Sequence, residues 1–85
     1  MTAEQKEFNK ICTKKLLKNG FNAVSTNVFQ SNDFKITLDN EEKSKVFSIL
    51  IRNIVTNEKH NIIEFNSITA YNMLDSFIIT NCLAW

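Results

Sequence analysis

The 85-residue chain predicts one small α+β domain over residues 1–85, with elements in the order α-β-β-α-β-α and a three-stranded sheet whose first two strands form an antiparallel hairpin packed by helices. Three observations carry this reading. The hydrophobic period is helical near both ends and in the middle, and falls to two between residues 21 and 38. With one Gly and no Pro, no flexible linker divides the chain. Hydrophobic residues make up 44% of it and seven are Phe, enough to build a core and to argue against disorder.

Thr2 starts the first helix as its N-cap, and Gln5 completes a capping box. Phe8, Ile11, Cys12 and Leu16, with the stem of Lys15, form the expected inner face. Asn19 and Gly20 end it. Gly20 suits the left-handed position after the cap, where Phe21 can close back on Leu16.

Two strands are expected next, near 21–29 and 33–38. Val24, Thr26 and Val28 alternate with their neighbours, as do Phe34, Ile36 and Leu38. Gln30-Ser31-Asn32-Asp33 between them is prone to turn.

Asp39 to Glu58 reads as a central helix. Asp39 and Glu42 make a capping box, and Glu41 adds charge at the positive end of the dipole. Val46, Phe47, Leu50, Ile51, Ile54 and Val55 fall on one helical stripe, with Ile49 at its side. A strand competes, because Phe47, Ile49 and Ile51 alternate. The alternation fails at Asn53, and the cap and the length select the helix.

His60 to Phe65 is the expected third strand. Asn66 or Ser67 then caps the last helix, with Ile68, Tyr71, Leu74, Phe77, Ile78 and Cys82 facing inward.

The functional reading begins with what is missing. A single Gly excludes the phosphate-binding loops that need several. His60 is the only histidine; Glu58 and Glu64 are its local acids, and only the fold could bring Cys12 or Cys82 to it. One His and two distant Cys do not make a zinc site. No catalytic residue, metal or cofactor is therefore expected. The polar N-terminus is unlike a signal peptide, so Cys12 and Cys82 are expected as buried, reduced thiols in a cytoplasmic protein. No apolar run approaches ~18 residues, so no membrane span is expected.

Net charge is +1, unevenly spread: residues 1–20 hold five Lys against two Glu. Lys6, Lys10, Lys14 and Lys18, with Lys15 adjacent, form a basic ridge along the first helix. It reads either as a solvated outer face or as a phosphate-contacting surface. At the other end, Phe77, Ile78, Ile79, Leu83, Ala84 and Trp85 exceed what one helical face can hide; either the tail folds back to cap a small core, or Phe77, Ile79, Leu83 and Trp85 mark an interface for a partner protein or a second copy. The heavy use of Asn, Ile, Lys and Phe matches A/T-rich codons, as in many phages and mobile elements. The expectation is a small non-enzymatic protein-binding module, an inhibitor or regulator acting by steric occlusion of a larger partner. The alternative is a nucleic-acid-binding accessory protein that uses the Lys ridge.

Overall fold

A computed structural model describes the backbone of residues 2–40 and 45–83, and their side chains up to Asn81. Helix α1 (Ala3–Lys18) is followed by strands β1 (Asn22–Ser25), β2 (Val28–Gln30), β3 (Phe34–Leu38), β4 (Phe47–Asn53) and β5 (Lys59–Glu64), and then helix α2 (Ser67–Ile78). A π-helical turn over Ile79–Leu83 continues α2. The class is α+β, but the order is α-β-β-β-β-β-α. The sheet has five strands in sequence order, every neighbouring pair antiparallel. The expected three-stranded sheet and central helix are both corrected.

α1 follows its local signals. Thr2 accepts from the Gln5 amide at 3.1 Å, and the Gln5 side chain accepts from the Thr2 amide at 3.0 Å. Gly20 closes the helix at φ +87°, a conformation that costs a side-chain-bearing residue more. The Phe21 amide donates to the Leu16 carbonyl at 3.0 Å, completing the Schellman closure.

The first expected strand divides in two. Asn27 adopts φ 58°, a turn conformation that Asn tolerates, and the chain reverses between β1 and β2. β2 then pairs with β3, with Phe29 opposite Ile36.

The main correction lies in β4. Phe47, Ile49 and Ile51 are buried and alternate with half-buried Leu50 and exposed Arg52. Ile51 pairs with Ile36 on one side and with His60 on the other. The helical stripe ends in residues of another kind: Ile54, Val55 and Thr56 form a turn, and Val55 is exposed. Asn53 makes that turn by accepting from the Val55 and Thr56 amides at 2.9 and 3.0 Å. Asn57, at φ 62°, reverses the chain into β5. Ile, Val, Phe, Asn and Thr are all mediocre helix formers, whereas a central strand gains ladder bonds on both sides. Glu41 and Glu42, which carried the expected helix cap with Asp39, lie outside the described residues.

One face of the sheet carries both helices. Its core joins Phe8, Cys12 and Leu16 of α1 and Ala70, Leu74 and Ile78 of α2 to Phe29, Ile36, Leu38, Phe47, Ile49, Ile51 and Ile62 of the strands. Phe8 meets Phe47 edge to face at 4.9 Å between centroids, and Phe34 meets Phe77 at 5.0 Å. The helices run side by side in the same direction, with Lys15 Nζ 2.5 Å from Asp75 Oδ1.

Two buried amides on α1 tie the helix to the β3–β4 connection. Gln5 Nε2 donates to the Val46 carbonyl at 3.1 Å. Asn40 Nδ2 donates to Asn9 Oδ1, and Asn40 Oδ1 accepts from the Ser48 amide at 2.9 Å. Burial makes these bonds expensive to lose, because an unpaired amide would be stranded away from water.

Strand and helix make opposite demands on adjacent residues. Ile49→Ala should cost about 2–5 kcal/mol in urea unfolding, the range for a fully buried Ile. Leu50→Ala, on the opposite side of β4, should cost about 1 kcal/mol or less, as partly exposed sites do. A helix would reverse the order.

Candidate functional site

The helix-bearing side has a groove between the first halves of α1 and α2. Glu4, Glu7, Phe8 and Ile11 line it from α1, and Ser67, Ile68 and Tyr71 from α2, around a volume of about 360 Å³. Its wall is mostly apolar. Asn66 positions the α2 side by capping that helix, accepting from the Ile68 and Thr69 amides at 2.9 and 3.1 Å. The cap fixes Ile68 in the first turn, where it remains 69% exposed. Ile11 is 46% exposed, so neither Ile11 nor Ile68 belongs to the inner face that periodicity assigned it. Phe65, just before the cap, is 81% exposed. Glu4 and Glu7 place two carboxylates on the rim.

Helical spacing alone could not separate Ile11 from Cys12. Both fall on the apolar half of α1, but the buried sector runs through Gln5, Phe8, Asn9, Cys12 and Leu16. Two amides displace Ile11 from the inner face, because they are needed against residues 40 and 46. No local signal announces that.

The expected basic ridge is present. Lys6, Lys10, Lys14 and Lys18 are exposed on the side of α1 opposite the buried sector. Lys15 is set apart from them by its pairing with Asp75, and that hydrogen bond raises its pKa above the ordinary lysine value.

The C-terminal set is dispersed. Phe77 is half-buried, its ring against Phe34, while Ile79 is 54% exposed in the π-helical turn. The Leu83 side chain and Trp85 lie outside the described residues, so Phe77 and Ile79 are the members whose placement is given.

His60 is exposed beside a second cleft of about 480 Å³, shared with Glu58, Asn53, Met73, Ser76, Phe77 and Thr80. Cys12 is far from suited to partner it. It is a free thiol in the core, and burial pushes its pKa up to about 12. A thiol held there stays protonated at neutral pH and is a poor nucleophile. The Cys82 side chain lies outside the described residues. Among the described residues, no cluster of His, Cys, Asp or Glu could hold a metal ion, and no helix is long and apolar enough to cross a membrane.

Comparison with known proteins finds no matching family model, no matching curated protein and no matching solved structure.

Cys12 gives a pH signature. Its folded pKa is raised from 9.0, so its contribution to stability is complete below about pH 9 and is lost as pH climbs toward about 12. In a Cys82→Ser background, the stability advantage of Cys12 over Cys12→Ala in urea unfolding should shrink between pH 8 and pH 10.5. A constant difference would contradict a buried, protonated thiol.

Proposed function

We propose that this chain is a small non-enzymatic protein-binding module. It takes a bulky apolar side chain of a larger protein into the α1–α2 groove and acts by occluding that partner's surface. The carrying observation is Ile68. It is held in the first turn of α2 by the Asn66 cap, faces the groove beside Phe8, Ile11 and Tyr71, and is left mostly uncovered. An isolated exposed apolar residue needs no explanation, but exposed Ile68 and Ile11 stand with half-buried Tyr71 around a recess that reaches the buried Phe8, which is the form of an anchor pocket.

The rim refines the partner's chemistry. Glu4 and Glu7 favour an anchor flanked by Lys or Arg, which would steer the approach and fix its orientation. Burying one Leu-sized or Phe-sized side chain contributes about 1.5–3 kcal/mol, or roughly 10–150-fold in affinity. A stable complex therefore needs contacts beyond the groove, and exposed Phe65 lies close to Ile68 in sequence to extend them. The mechanism is steric and uses no cofactor.

Selection of a random peptide library on the wild-type protein, with counter-selection on Ile68→Asp, tests this reading. The expected consensus is a bulky apolar residue within a few positions of Lys or Arg. Its peptides should bind Ile68→Asp at least ~30-fold more weakly, the loss typical of a hot-spot residue. The melting temperature should stay within a few degrees, since position 68 is exposed. Peptides that bind both proteins equally would refute the groove as the site.

A further inference from the structure

The face of the sheet turned away from the helices carries a charge pattern that the groove does not use. Register places Gln30 opposite Lys35, Lys35 opposite Arg52, and Arg52 opposite Lys59. Strand alternation puts all four on the side opposite buried Ile36, Ile51 and Ile62. Three cations therefore stand in one row across β3, β4 and β5, spanning about 10 Å at the usual strand spacing. Among the described residues, none of the three takes part in an ion pair. The other strand residues on this face are neutral: Asn22, Val24, Val28, Thr37, Ser48, Leu50, Asn61 and Ile63. Lys35, Thr37, Leu50, Arg52, Lys59 and Asn61 border a shallow depression of about 360 Å³.

Like charges directly opposite across a ladder are destabilising. Folding alone gives no reason to align three of them without a carboxylate. We propose that this face binds the phosphate backbone of a double-stranded nucleic acid, without reading its bases.

Charge complementarity points to a polyanion, and the geometry narrows the class. An acidic peptide that added to the sheet would run along the β5 edge and meet Lys59 alone, because the row crosses the strands. Arg52 offers a planar fork for phosphate oxygens, and Gln30, Thr37 and Asn61 supply the neutral donors that accompany such contacts. Single strands are held largely by stacking on aromatic side chains, and this face has none within its strands. A duplex backbone needs no stacking. The row is distinct from the Lys ridge of α1, which points away from the opposite side of the molecule.

Fluorescence anisotropy with a 20-bp DNA duplex tests the assignment over a salt series. Three phosphate contacts give a slope of log K against log salt of about −2.7, or roughly a 40-fold loss of affinity between 50 and 200 mM. Each of Lys35→Gln, Arg52→Gln and Lys59→Gln should reduce the slope by about 1, and the triple variant should not bind. Its melting temperature should be unchanged or higher, because the repulsion is relieved, and this separates lost binding from lost folding. A Lys6→Gln, Lys10→Gln, Lys14→Gln variant should bind as the wild type does. The proposal is overturned if the duplex does not bind at 50 mM salt, if the face variant still binds, or if the ridge variant loses binding. Equal or tighter binding of a single-stranded 20-mer or of polyglutamate would also overturn it.

Discussion

Everything in this fold depends on β4 being paired on both sides. Its ladder to β3 runs from Phe34 opposite Asn53 to Leu38 opposite Ile49. Its ladder to β5 runs from Phe47 opposite Glu64 to Arg52 opposite Lys59. That double pairing fixes which side chains face the helices, since a shift by one residue would turn Phe47, Ile49 and Ile51 into water. The two helices then have a surface to cover. Gln5 and Asn9 lock α1 to the start of β4, so helix and strand cannot slide independently.

Both helices, β3 and β5 were legible in the sequence, and β4 was not. Thr2, Gln5 and Phe21 cap α1 through bonds to residues within five positions, Gly20 through its own positive φ, and such local devices act wherever the helix forms. Asn66 is similar. In contrast, the segment after Asp39 holds signals for both periods. Phe47, Ile49 and Ile51 alternate, while Val46, Leu50, Ile54 and Val55 extend the set into a helical stripe. What decides between them is the partner strands on either side, a tertiary effect that no local window contains. Asn53 and Asn57 did carry a local clue. Asn accepts backbone amides in turns and tolerates positive φ, so two of them bracketing Ile-Val-Thr mark a reversal better than a helix end. The candidate groove was less legible still. Ile11 and Ile68 look like core residues by spacing, and only the burial of Gln5 and Asn9 shows why Ile11 is turned outward.

The surface chemistry divides along the sheet. On the helix side lie the apolar groove with its two carboxylates and, on the outer flank of α1, the Lys ridge; on the other lie Lys35, Arg52 and Lys59. A net charge of +1 conceals this local patterning. Salt screens exposed charges over about 8–10 Å, so each face presents its own local field to whatever approaches. Two ligands of opposite character would not compete for space. The core between them is one layer thick, as expected of a chain this short.

The nearest-neighbour order of the strands has a kinetic consequence. Each β pairing joins segments adjacent along the chain, so each closes a short loop at small entropic cost and the sheet can zip one hairpin at a time. The helices differ, because α1 and α2 come from opposite ends and meet only once the sheet has brought them together. The contact between them, Lys15 to Asp75 included, thus spans most of the chain and is the costliest loop of the fold to close.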